Sequence, residues 1–364
     1  MRINVLNGLR GYAALMVVLS HMPQITNTDF GSSLYTLIKD LNLGYLGVDL
    51  FFVLSGFLIT RILLRDKKAG TYSFKLFYIK RALRIFPIYF LTILVCGIVF
   101  SWKGMGYLSI YTANYYFSFN PAPHPLEHTW SLSVEEHYYL IWPLIVFFFS
   151  RKIIKKYLWP FLLLILSLSL LLAYNTFGDT IFSRLIYMGT EFRILTLCTG
   201  SFLAFYEARL MALNKVKLTR WLLLCCIVSF TLIVMMMQKL FEAYVPISIL
   251  GLLLFAMYST FLFMTVLVQE KRNNVIDTLF GNTYIGYVGK LSYGLYLYHF
   301  PIFYAFGITD KLDGEFIPFS EFAPPMLFTI VVTVISYIAI EKPLMNYKTA
   351  LVLKFNKNLK KQPS

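Results

Sequence analysis

The chain has 364 residues, of which 58% are hydrophobic and only 14% charged, with a mean hydropathy of +0.66. Soluble domains carry nearly twice that share of charge, so the composition excludes a soluble globular protein and points to a chain threaded through a bilayer. The formal net charge of +15 would suggest nucleic acid in a soluble chain, but here it is a topology signal and no nucleic-acid partner is implied.

Apolar stretches of spanning length occur at about 5–23, 44–64, 85–102, 131–150, 157–174, 190–207, 221–238, 246–268, 284–307 and 325–341. They predict an all-α polytopic membrane protein of about ten transmembrane helices. The first stretch lacks the cleavage-site pattern of a secretory signal. Basic residues collect in alternate connections: Arg61 to Arg84, Arg151 to Lys156, Arg209 to Arg220, Lys271 with Arg272, and the tail through Lys360 and Lys361. The intervening connections hold only Lys39, Lys103, Arg184, Lys239 and Lys311. By the positive-inside rule both termini are cytoplasmic. The longest connection on the other side, about 103–130, is rich in Tyr, Phe, Asn and Pro and could roof a cavity or simply lie at the interface. The four cysteines, Cys96, Cys198, Cys225 and Cys226, sit in apolar stretches without metal or disulfide spacing.

Ionisable groups inside a bilayer are costly and mark functional positions. In LRGYAALMVVLSH, Arg10 and His21 are just over three helical turns apart, so they share one face, separated by a rise of about 16 Å. That face suits an elongated ligand, anionic at one end and reactive at the other; the ordinary reading is a snorkelling arginine and an interfacial histidine. In GVDLFFVLSGFLIT, Ser55 and Gly56 are small mid-span residues that admit a ligand or a neighbouring helix, and Asp49 lies near the outer end, where water could solvate it. In YIKRALRIFP, Arg81 and Arg84 are neighbours on a helix face beside Lys80. Paired guanidiniums match phosphate, although from spacing alone positive-inside anchoring is the ordinary reading. In HTWSLSVEEHYYLIWP, Glu135 and Glu136 enter the fourth span at a depth comparable to His21, where a carboxylate can orient an imidazole. Ser131 or Ser133 could also cap this helix, and the Ser-x-x-Glu from Ser133 to Glu136 fits a capping box. Arg193 and His299 are further intramembrane polar groups, and His299 is a second candidate for a reactive imidazole.

Together these stretches resemble the membrane acyltransferase 3 family, in the family's order and over nearly the whole chain. Arg10 to His21 matches its Arg-x10-His, Ser55 to Leu58 its SGFL, and Arg81 to Arg84 its Arg-x-x-Arg. Trp130 to Glu135 matches its Trp-Ser-Leu-x-x-Glu, and Ser292 to Pro301 its Ser-Tyr-x-x-Tyr-Leu-x-His-x-Pro. Many members carry Asp where Asn7 stands here. The resemblance implies an acyltransferase 3-type transmembrane domain over 1–345 and a basic cytoplasmic tail over 346–364, in the bacterial inner (cytoplasmic) membrane. It implies transfer of an acyl group, acetyl above all, from cytosolic acyl-CoA to a hydroxyl of a surface polysaccharide, other glycan or lipid-linked sugar on the outer side. No permanently bound cofactor and no metal are expected; acetyl-CoA is a substrate. On this resemblance Arg10, Arg81, Arg84 and Ser55 bind acyl-CoA, His21 is the general base and Glu135 orients its ring. His299, Arg193 and Trp130 form a secondary site, and an acyl-imidazole is an alternative route. Two other readings stay open. A proton-coupled transporter also uses intramembrane His, Glu and Arg, although no half of the chain repeats the other. A small molecule such as a macrolide is the other acceptor class. Membrane lipids are expected partners, and a homo-oligomer is compatible with the sequence.

Overall fold

A computed structural model describes residues 3–24, 29–213, 215–239, 244–269, 275–309 and 316–359. The helices run in order α1 (Ile3–Ser20), α2 (Asp29–Asp40), α3 (Leu43–Lys68), α4 (Phe74–Val99), α5 (Met105–Ser109) and α6 (Ala113–Phe119). A 3-10 turn (Glu127–Thr129) leads into α7 (Trp130–Phe148), followed by α8 (Arg151–Thr176), α9 (Asp179–Met188), α10 (Thr190–Ala212), α11 (Lys215–Lys239) and α12 (Tyr244–Gln269). The chain ends with α13 (Val275–Phe280), α14 (Thr283–Ala305), α15 (Phe319–Ser336), a π turn (Tyr337–Glu341) and α16 (Lys342–Leu359). Among the described residues there is no strand, only a bridge between Gln24 and Phe316. Lys271, Arg272, Lys311, Lys360 and Lys361, used above to read the charge asymmetry, lie outside the described residues.

Every apolar stretch read from the sequence falls on a helix: α1, α3, α4, α7, α8, α10, α11, α12, α14 and α15. Six described segments are long and apolar enough to cross a membrane by length and composition: Tyr35–Lys68, Phe74–Val99, Arg151–Thr176, Lys217–Val234, Ile249–Val268 and Phe319–Val352. Val5–Ser20 is a shorter apolar helix. The helices that fall short, α1, α7, α10 and α14, are those that carry Arg10, Glu135, Arg193 and His299.

Those four helices and α3 form the centre. α1 packs on α14 and α3, and α3 packs on α10. Glycine sets a close crossing of α3 and α10: a Cβ on Gly56 would overlap the Leu197 carbonyl of α10, and one on Gly200 would overlap the Val53 carbonyl of α3. Small residues let backbones approach where lipid supplies no hydrophobic drive. α4, α8, α11 and α15 turn apolar side chains outward, such as Ile98, Leu172, Ile227 and Leu327, in an exposed belt that suits acyl chains.

One end of the bundle is fastened by local devices. Gly70 takes a left-handed φ of 68°, and the Thr71 N–H donates to the Asp66 carbonyl at 3.0 Å, which closes α3. Ser73 then caps α4 by accepting from the Leu76 N–H at 3.2 Å. The Lys67 ammonium donates to the Val146, Phe147 and Phe149 carbonyls at 2.7, 2.9 and 3.3 Å, satisfying the open C-terminus of α7. At the other end of α7 the capping-box expectation is not met. The 3-10 turn starts the helix early, Thr129 makes no side-chain cap bond, and the Ser131 hydroxyl instead meets the Tyr296 hydroxyl at 2.6 Å. The expected boundary at 345/346 falls inside α16, which packs on α4.

Candidate active site

Two cavities occupy the centre. The smaller, about 90 Å³, is lined by Arg10 of α1, Ser55 of α3, Arg81 and Arg84 of α4, and Glu135, Glu136 and Tyr139 of α7. Glu135 is held by two hydroxyls: Ser55 donates to Oε1 at 2.7 Å and Tyr139 to Oε2 at 2.9 Å. The Arg81 guanidinium lies over the Tyr139 ring, 3.7 Å from its centroid. The Arg81 Nε is buried without an acceptor. Among the described residues none of the three arginines has a carboxylate within ion-pair distance. Three converging guanidiniums with planar donor forks suit a ligand carrying several phosphates. The residues expected to bind such a ligand, Arg10, Arg81, Arg84 and Ser55, are therefore brought together.

The larger cavity, about 670 Å³, holds His21, Lys39, Tyr45, His124, Glu127, His128, Trp130, Arg184, Tyr187 and Phe300 among its lining. The 103–130 connection folds into α5, α6 and the 3-10 turn, and it walls this cavity with Pro121, Pro123, His124, Glu127 and His128. Arg184 pairs with Glu127 at 2.8 Å and donates to the Phe117 carbonyl at 2.9 Å, which pins that wall. Burial holds the His124 imidazole below its ordinary range, so this ring stays neutral. Val48 and Tyr296 line both cavities and form the partition between them.

His21 follows the last turn of α1. Its Nδ1 lies 2.9 Å from the Val17 carbonyl oxygen and 3.3 Å from His299 Nε2. His299 is fully buried, with Nδ1 3.1 Å from the Leu295 carbonyl and 2.7 Å from that of Tyr296. Glu135 does not touch His21: both its oxygens are bonded in the arginine-lined cavity. The reason is helical rise. His128 is the α7-side residue whose ring reaches the histidine cluster, at 5.2 Å from the His299 centroid, and Glu135 lies about 10 Å further along the axis.

Asp49, expected near water, is instead fully buried and paired with Arg193. Arg193 Nε and Nη1 have no acceptor, and the guanidinium lies 5.3 Å from the Phe52 ring, 5.6 Å from Trp130, 5.8 Å from Tyr187 and 5.9 Å from Tyr45. Arg193 and Trp130 thus meet at the wall of the larger cavity. In the sequence Tyr296 stands out only as a position of the Ser292 to Pro301 motif, and nothing there singles out Tyr139, His128 or Arg184. Tyr139 stands one helical turn beyond Glu135, a spacing that could have flagged it; the others are joined to the site only by tertiary contact.

A family model described as an acyltransferase domain, that of the acyltransferase 3 family, matches residues 3–341. The chain is 28% identical over 365 residues to "Putative O-acetyltransferase SACOL0978" of Staphylococcus aureus (strain COL), covering 93% of this chain and 56% of that protein. It is 28% identical to "Putative peptidoglycan O-acetyltransferase YrhL" of Bacillus subtilis (strain 168), covering 93% and 54%. It is 30% identical over 331 residues to "Peptidoglycan O-acetyltransferase OatA" of Listeria monocytogenes, covering 82% and 49%. The chain spans about half the length of the curated relatives it matches. No solved structure matches it. With the family model matching from the first turn of α1 to the end of the π turn, the chain belongs to the acyltransferase 3 family.

Proposed function

We propose that this chain is a multi-pass O-acetyltransferase of a bacterial cytoplasmic membrane, with ten spans and both termini in the cytosol, moving an acetyl group from cytosolic acetyl-CoA to a cell-wall glycan hydroxyl outside. The observation that carries this reading is the pair of cavities, one lined by arginines and the other by histidines, that share Val48 and Tyr296. The names of the relatives, peptidoglycan O-acetyltransferases, support a glycan acceptor.

The CoA phosphates meet Arg10, Arg81 and Arg84, which lie toward the end where the basic connections cluster. The thioester reaches toward the Val48–Tyr296 partition, and the acceptor hydroxyl enters the larger cavity beside His21. His21 takes the hydroxyl proton and the oxygen attacks the thioester carbon. The C–S bond breaks, and the CoA sulfur leaves with the proton from the imidazolium. The products are the O-acetyl ester and free CoA.

The test uses the protein in lipid nanodiscs with radiolabelled acetyl-CoA and de-O-acetylated peptidoglycan strands. His21→Ala is expected to lose CoA-dependent transfer by at least about a hundredfold while melting like the parent. Parent-level transfer by His21→Ala would remove the assigned base.

A further inference from the structure

We propose that His299 is a positioning residue: it fixes the tautomer of His21, so that the lone-pair nitrogen of that ring faces the larger cavity. This rests on the reading of His21 as the base. His299 Nδ1 lies 3.1 and 2.7 Å from the Leu295 and Tyr296 carbonyls. Carbonyl oxygens only accept, so Nδ1 carries the hydrogen. A neutral imidazole has one donor and one acceptor nitrogen, so His299 Nε2 is a lone pair. That lone pair faces His21 Nδ1 at 3.3 Å. His21 Nδ1 also faces the Val17 carbonyl at 2.9 Å. With two acceptors before it, His21 Nδ1 carries its hydrogen, which leaves Nε2 unprotonated. Among the described residues His21 Nε2 has no hydrogen-bond partner, and His21 lines the larger cavity.

His299 itself cannot be the reactive imidazole. It is fully buried, and its ring is packed among His128, Tyr296, Phe303 and Phe300 at centroid distances of 5.2, 5.9, 6.0 and 6.2 Å. Its role resembles that of the aspartate in a serine-hydrolase triad, which holds the base in the right tautomer, but here the partner is neutral. It orients the ring without a counter-charge that would retain the proton. That suits a base that must pass the proton straight on to a leaving thiolate.

The experiment compares two polar variants of the intact chain. In His299→Asn the amide reaches the Nδ1 position, keeps a donor for the Leu295 and Tyr296 carbonyls and loses the acceptor for His21. In His299→Gln the amide reaches the Nε2 position and restores that acceptor. His299→Asn is expected to lower kcat about tenfold to a hundredfold with KM for acetyl-CoA unchanged, and His299→Gln to recover most of the loss. A second readout needs no acyl transfer: diethyl pyrocarbonate modifies unprotonated imidazole nitrogen, and His21 modification is followed by peptide mass mapping. His21 is expected to react fast in the parent and in His299→Gln and slowly in His299→Asn. Equal kcat and equal labelling in the two variants, or a loss confined to KM, would overturn the assignment. If the parent itself transfers nothing, the reading of His21 as a base fails, while the labelling contrast still decides whether His299 sets the tautomer.

Discussion

At the residue scale, Asp49 and Arg193 show what keeps the wall of the larger cavity in place. Both are fully buried, and the guanidinium bonds one carboxylate while four aromatic rings surround it. Of these rings, Tyr45, Trp130 and Tyr187 line the larger cavity and Phe52 the smaller, so one cation stiffens both walls. Removing one partner strands the other charge without water. Asp49→Leu is therefore expected to cost about 3–5 kcal/mol, and the double variant Asp49→Leu, Arg193→Met much less, because it strands nothing. Thermal melts of the detergent-purified proteins read this directly; equal losses would mean that the pair is not a unit. The pair was not legible in the sequence. Asp49 and Arg193 are far apart along the chain, and each alone reads as an interfacial or packing charge. Helical periodicity set Arg10 on one face with His21 and Arg81 beside Arg84, while the grouping of these arginines with Ser55 came only from the family resemblance. The partner of Glu135 was not legible, because depth along a helix is fixed only once its start is known, and the 3-10 turn before Trp130 moved that start.

At the element scale, neighbours in one helix serve different surfaces. Ser55 turns to Glu135 in the smaller cavity, while Gly56 turns to α10. Ser55–Gly56 had two readings from the sequence, ligand approach and helix packing, and the two residues divide them. The close crossing depends on both glycines, since a Cβ on Gly56 meets the Leu197 carbonyl, a backbone atom that cannot swing aside. Gly56→Ala is expected to destabilise the protein by about 1–3 kcal/mol, the usual cost of overpacking. Gly106→Ala, where a Cβ meets nothing within 4 Å, serves as the control and should melt like the parent. The same melts check both; an unchanged Gly56→Ala would show that α3 and α10 can separate freely. Helix positions were legible because spanning length is a strong signal. Which faces meet was not, because small residues recur in most of these helices and only tertiary packing selects the pairs.

At the scale of the whole molecule, the proposed transfer requires two chemistries that a single cavity could not hold. Arginines that attract a polyanion would also attract any anionic group of the acceptor, and a large water-accessible cavity would expose a thioester to hydrolysis. The small cavity and the large one instead share two walls, Val48 of α3 and Tyr296 of α14. Tyr296 is tied back by its hydroxyl, which donates to the His128 carbonyl at 2.7 Å and meets Ser131 at 2.6 Å, so the tyrosine side of the partition is rigid. Val48 is buried and has no polar tether, so a larger side chain there narrows the passage without breaking a hydrogen bond. Val48→Trp is expected to leave CoA affinity within about twofold, since the guanidiniums proposed to meet the phosphates stand on α1 and α4, and to cut acetyl transfer by more than about tenfold. Calorimetry with CoA and the radiolabel assay in nanodiscs separate the two effects. Loss of CoA binding together with transfer would place the donor against Val48 itself. Parent-level transfer would mean that the acyl group reaches His21 by a route other than the shared wall.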